Sequence, residues 1–82
     1  MAQLLFFGRL ADIVDRPNQV LDLPAGISDT TALRAWLDAR QSAGGALMEK
    51  TVRIAINSEI VVDPAPVSNS DEIAFMPPVG GG

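Results

Sequence analysis

The sequence predicts a two-layer α+β domain, with one main helix packed on one face of a mixed sheet of about five strands. The strongest helical signal is a single amphipathic segment following Ser28-Asp29, whose apolar residues recur at helical spacing. Around it lie short apolar or alternating runs closed by Gly, Pro, Asn or Asp, in the order strand, strand, helix, strand, short strand, strand. A lone amphipathic helix can cover one face of one sheet, and the two-layer arrangement follows.

The elements are justified in turn. Gln3 to Gly8 is apolar, aromatic at Phe6 and Phe7, and bounded by glycine, as suits a buried first strand. Arg9 to Asp15 carries Leu10, Ala11, Ile13 and Val14, enough for a short helical turn. Arg16-Pro17-Asn18 is a turn, and Gln19 to Leu23 alternates polar and apolar residues until Pro24-Ala25-Gly26 ends it. Ser28 or Asp29 can then cap a helix behind the hydrophobic anchor Ile27. Leu33, Trp36 and Leu37 form its apolar stripe, with Arg34, Asp38 and Arg40 outside it, and Gly44-Gly45 ends it no later than there. Trp36 belongs to the stripe and is expected in the core. Thr51 to Asn57 places Val52, Ile54 and Ile56 on one strand face, Asn57-Ser58 turns, and Glu59 to Val62 returns. Asp63 to Ser70 has turn chemistry throughout. Glu72 to Met76 is a last strand, stopped by Pro77, which lacks the N–H that a ladder needs.

Size and composition bound the function. The 82 residues make one small domain without repeat or linker, divided into a globular part over 1–76 and a flexible tail over 77–82. A hydrophobic content of 48% places the chain among folded globular proteins. The net charge of −4 argues against a nucleic-acid footprint. With no Cys and no His, thiol nucleophiles, zinc-thiolate sites and His-based acid–base catalysis are missing, and no metal site is expected. The chain is therefore not expected to catalyse a reaction alone. No apolar run approaches the roughly 18 residues of a membrane span. The first residues lack a basic leader and a small-residue cleavage site. Together these point to a cytoplasmic location.

The C-terminal run Asp71-Glu72-Ile73-Ala74-Phe75-Met76-Pro77-Pro78-Val79-Gly80-Gly81-Gly82 carries the most function. Glycines without Cβ contribute little to a core, but they form an arm thin enough to thread a narrow active site. The six residues from Pro77 to Gly82 extend up to about 20 Å. Pro77-Pro78 favours a stiff, extended start. The terminal carboxylate of such an arm can itself be the reactive group.

This run resembles the ending of the molybdopterin synthase small subunit: an acidic pair, an apolar strand, Pro-Pro-Val, one variable residue and Gly-Gly. Ala55-Ile56-Asn57-Ser58-Glu59-Ile60-Val61 resembles that family's hairpin, and Leu4-Leu5-Phe6-Phe7-Gly8-Arg9-Leu10 its first strand and turn. Asp15-Arg16-Pro17 stands where the family has a glycine turn. The resemblance implies a ubiquitin-like β-grasp, with first and last strands parallel at the sheet centre. It implies a sulfur carrier whose Gly82 carboxylate is adenylated, then thiocarboxylated, and donates sulfur to precursor Z (cyclic pyranopterin monophosphate). Val79, Gly80, Gly81 and Gly82 would enter partner active sites. Phe75, Met76, Pro77 and Pro78, beside the tail root, are candidates for docking, with Phe75 or Met76 facing a partner enzyme. The implied partners are the large subunit of molybdopterin synthase, an adenylating enzyme and a sulfur donor system, with no nucleic acid and no membrane. ATP and Mg²⁺ would be used by the activating enzyme, and no cofactor is bound by this chain.

Three rivals share the fold. A sulfur carrier for thiamine or cysteine synthesis differs only in partner. A ubiquitin-type modifier would form isopeptides with lysines of its targets. A non-covalent ubiquitin-like interaction module would tolerate any change in the tail.

Overall fold

The structure, a computed structural model, describes residues 1–78. Its elements are β1 (Ala2–Phe6), α1 (Leu10–Ile13), β2 (Asn18–Leu21), α2 (Thr30–Arg40), a 3₁₀ turn (Ala46–Met48), β3 (Arg53–Ile56), β4 (Glu59–Val61) and β5 (Glu72–Met76). One sheet runs β2-β1-β5-β3-β4. β1 and β5 are parallel, with Leu4 opposite Ile73 and Phe6 opposite Phe75. The other pairings are antiparallel, so the sheet is mixed as expected.

The two central strands bury alternate residues. Ala2, Leu4 and Phe6 on β1 and Ile73 and Phe75 on β5 face inward, where they join Leu33 and Leu37 of α2 in one cluster with Leu10, Leu47, Val52 and Ile54. Phe6 and Phe75 stack across the parallel pair with ring centroids 5.2 Å apart. Each fully buried side chain of this size contributes about 1.5–3 kcal/mol through removal from water. The strands and helix are thus fixed by a shared interior rather than by local preference.

Local chemistry sets the boundaries. The Asp29 carboxylate accepts a hydrogen bond from the Ala32 N–H at 2.8 Å, which selects Asp29 over Ser28 as the cap of α2. The helix ends before the glycines: Gln41 is its C-cap, and Ser42 takes the left-handed turn at φ 52°. β2 stops at Leu21 because its last pairing partner, Ala2, is the first residue of β1. Leu23 is nevertheless buried, and its N–H donates to Asn69 Oδ1 at 2.8 Å. Asn57 and Ser58 both have positive φ, 51° and 70°, and form the two-residue turn between paired Ile56 and Glu59. Such a turn matches the natural twist of a hairpin.

One helix residue departs from its expected place. Arg34, outside the apolar stripe, is 7% exposed. Its Nε donates to Asp63 Oδ2 at 2.7 Å, and its terminal nitrogens donate to the carbonyls of Leu47, Glu49 and Val52. A charge this deep is tolerated because its N–H groups find carbonyl and carboxylate acceptors. It fastens the segment between α2 and β3, and β4's end, to the helix. Trp36 packs partly buried against the core, with the Arg40 guanidinium 5.4 Å from its ring centre.

Candidate functional site

The site is the end of the sheet from which the chain leaves β5. β5 is held on both sides: Phe6 and Phe75 pair on one edge, and Arg53 and Met76 on the other. The Phe7 N–H donates to the Phe75 carbonyl at 3.0 Å, carrying the β1–β5 contact one residue beyond β1. Pairing then ends, because neither Pro77 nor Pro78 has an N–H to give. The root of the extension is therefore rigid and central rather than a frayed edge.

Gly8 shapes this root. Its φ is +57°, and a Cβ built there would lie 2.8 Å from Pro77 Cγ. A residue without a side chain both adopts this backbone angle at little cost and lets the Pro77 ring close over it. From the sequence, Gly8 only marked the end of a strand. Its contact with Pro77 joins residues far apart in the chain, so no local signal announced it.

Around the root, the sheet face opposite the helix is apolar and open. The pairing register places Met76 beside Arg53, and Ala55 between Ala74 and Ile60. Ile60 is 60% exposed, Val62 85% and Phe7 48%. A cleft of ≈ 510 Å³ lies between Ile60, Met76, Pro77 and Pro78 on its apolar side and Lys50, Thr51 and Arg53 on its polar side.

The docking expectation divides at this point. Phe75 is fully buried and stacked on Phe6, so it cannot present its side chain to a partner. This corrects its place among the docking candidates: adjacent strand residues point to opposite faces, and Phe75 shares the inner face with Ile73. Met76 and Pro77 are half-buried and Pro78 is exposed, all three along the cleft. Alternation along β5 says only that Phe75 and Met76 face opposite ways, and the pairing of Phe75 with Phe6 puts Phe75 inside. Ile60, which lines the same cleft, was not singled out from the sequence. On β4, an edge strand with a neighbour on one side only, it lies opposite Ala55. Val79, Gly80, Gly81 and Gly82 lie outside the described residues.

At the other end of β5, side chains close the structure. Asn57 Nδ2 donates to Asp71 Oδ1 at 2.9 Å, and the Glu72 N–H donates to Asn57 Oδ1 at 3.0 Å. Asp71 Oδ2 accepts from the Ser68 N–H at 2.8 Å. Asp71 is thus a turn residue, while Glu59 is exposed. Among the described residues, no group of three or more His, Cys, Asp or Glu is placed to hold a metal ion, and no helix is long and apolar enough to cross a membrane.

A single main helix over a mixed sheet with parallel first and last strands, and a chain leaving the middle of that sheet, defines a ubiquitin-like β-grasp protein. The ThiS family matches residues 4–82, and the chain belongs to it. It is 30% identical to the molybdopterin synthase sulfur carrier subunit of Escherichia coli (strain K12), covering 100% of both chains. Among solved structures, SAMP1 from Haloferax volcanii superposes with a TM-score of 0.78 at 19% identity, over 99% of this chain and 98% of that one. A chain from the protein–protein complex of subunits 1 and 2 of the molybdopterin-converting factor from Helicobacter pylori 26695 gives a TM-score of 0.64 at 26% identity, over 99% and 97%.

Proposed function

We propose that this chain is the sulfur carrier subunit of a molybdopterin synthase and that the carboxylate of Gly82 is its reactive group. The observation that carries this reading is the end-to-end similarity to the Escherichia coli sulfur carrier subunit. The root geometry supports it, because β5 delivers Pro77 and Pro78 from a strand clamped on both sides.

The chemistry follows from the group available. A carboxylate is anionic and a poor electrophile. In an adenylating partner using ATP and Mg²⁺, its oxygen attacks the α-phosphorus and expels pyrophosphate, leaving a mixed anhydride. Sulfide-level sulfur from a donor system then displaces AMP and leaves a thiocarboxylate at Gly82. That soft nucleophile attacks an activated carbon of precursor Z, the cyclic pyranopterin monophosphate, in the active site of the large subunit. A C–S bond forms as that carbon's bond to oxygen breaks, and the oxygen departs with its electron pair and takes up a proton. Hydrolysis of the resulting thioester returns the carboxylate and leaves sulfur on the pterin. This chain contributes a slender arm and a fixed point of departure, and partners contribute the acids and bases. Val79, Gly80, Gly81 and Gly82 form the part that enters, and glycine's lack of a side chain keeps the arm narrow.

The large subunit docks, in this reading, on the open sheet face around Ile60, Met76, Pro77 and Pro78. Exposed apolar groups grouped beside a reactive arm suit a partner surface, and the complex of subunits 1 and 2 from Helicobacter pylori supports a partner of this kind. Intact mass spectrometry tests the reading. After incubation with the activating enzyme, ATP, Mg²⁺ and a sulfur donor, a gain of about 16 mass units is expected. Because methionine oxidation adds the same mass, alkylation must follow, and the adduct must map to Gly82. The chain has no cysteine to compete for the reagent. An unmodified terminus after incubation with competent partners would reject the proposal.

A further inference from the structure

We infer that Lys50 and Arg53 form a seat for a carboxylate side chain on the surface of the protein that receives the tail. The inference rests on the docking reading above and adds the chemistry of the partner's surface to it.

The chain has six cationic side chains against ten acids. Arg34 is committed to Asp63 and three carbonyls, and Arg40 lies over Trp36. Arg9 and Arg16 line other depressions, Arg9 with Ile13, Ala46 and Glu49, and Arg16 with Asp15 and Gln19. Lys50 and Arg53 differ from all of these. They share the wall between two depressions, ≈ 310 Å³ on the side of Val61, Val62 and Asp63 and ≈ 510 Å³ on the side of Ile60, Met76, Pro77 and Pro78. Among the described residues the one ion pair is Arg34 with Asp63. Asp63, the acid that lines the first depression, is held at 2.7 Å by Arg34 Nε.

Two exposed cations that pair with no acid among the described residues, set in an acidic chain, are complementary to an anionic surface. Both are also well placed. Arg53 lies in the sheet opposite Met76, and Lys50 follows a segment whose carbonyls are fastened by Arg34. A planar guanidinium beside an ammonium can grip a carboxylate at two points, and the neighbouring apolar wall shields that contact from water.

The position also says which anion is meant. Four residues follow Pro78, ending at Gly82, and span up to about 14 Å of extended chain. Phosphates that take part in the chemistry sit at the tip of the arm, inside the partner. An anion at the root belongs to the partner's outer surface, and on a protein that anion is an Asp or Glu side chain.

The test measures binding of the full chain to the purified large synthase subunit and to the purified activating enzyme of the source organism. Wild type is compared with Lys50→Glu/Arg53→Glu, Arg53→Lys, Ile60→Ala and the distant charge reversal Arg16→Glu, each first checked for unchanged thermal unfolding. In about 0.05 M salt the double reversal is expected to weaken binding to the large subunit by at least about tenfold. Arg16→Glu should change it by less than about threefold, and Arg53→Lys, which keeps the charge but loses the planar fork, should fall between the two. The gap should close as salt approaches about 0.5 M, where the screening length falls to a few ångströms. Equal binding by wild type and the double reversal at low salt, with Ile60→Ala weakened, overturns the seat and leaves the docking face standing. An equal loss in Arg16→Glu overturns it too, since net charge alone would then explain the effect. Wild type that binds neither partner defeats the docking reading and the seat with it.

Discussion

The two ends of β5 are built on opposite plans. At Asp71-Glu72, the Asn57 side chain bridges an acid and a backbone N–H, Ser68 closes the loop, and these polar groups are satisfied within the chain. At Met76-Pro77-Pro78 the backbone stops donating, a cleft opens, and Lys50, Arg53 and Ile60 face outward. An end whose hydrogen bonds are complete maintains the fold, whereas an end with open apolar surface and cations that pair with no acid among the described residues suits a partner. On the proposed function, the difference separates residues whose loss costs stability from residues whose loss costs activity.

Changes at the tail side should separate those two costs most widely. Gly81→Val is expected to abolish thiocarboxylation, with product below about one hundredth of wild type, while the unfolding midpoint stays put. Mass spectrometry after alkylation and a thermal melt check both halves, and a shared fall in both would blur the contrast between the ends. Next in size is Phe75→Ala, which removes the ring stacked on Phe6 and should cost about 3–5 kcal/mol in denaturant unfolding. Its neighbour Met76→Ala, on the outer face, should cost less than about 1.5 kcal/mol. Similar losses for the two would contradict the inner and outer assignment.

Arg34→Met keeps much of the side-chain volume but strips donors from three carbonyls and from Asp63. A loss of about 2–4 kcal/mol is expected, with faster hydrogen exchange in the segment carrying Lys50. At the closed end, Asn57→Ala removes the bridge to Asp71 and Glu72 and should lower stability by about 1–2 kcal/mol without reducing binding to the large subunit. Smallest is Ser58→Gly. Ser58 sits at φ 70° in the hairpin turn, so glycine should raise stability by about 0.5–1 kcal/mol, read as a higher melting temperature.

Much of the fold was legible because its signals are local. Asp29 caps the helix within three residues, Asn57-Ser58 turns within two, and Pro77 ends β5 through its own missing N–H. The family's motif around Pro77-Pro78 was legible for the same reason. Period-two alternation also showed that Phe75 and Met76 point opposite ways, although it took the pairing register to say which one is inside. Arg34 was misplaced because a search for apolar periodicity registers only apolar residues. Its burial depends on acceptors supplied by Leu47, Glu49, Val52 and Asp63.

By itself, then, the sequence determined the α+β class, the order of strands and helix, the turns, and the end of the last strand at Pro77. These depend on side-chain alternation, φ preferences and missing donors, each set by a few neighbouring residues. Through its resemblance to a known family, it also supplied the parallel pairing of first and last strands. Only the tertiary structure decided that Phe75 is core and Ile60 surface, that Gly8 closes against Pro77, and that Lys50 and Arg53 have no ion-pair partner among the described residues. Each of those depends on residues distant in the chain meeting in one register. Burial and charge pairing are properties of that meeting and of no segment alone.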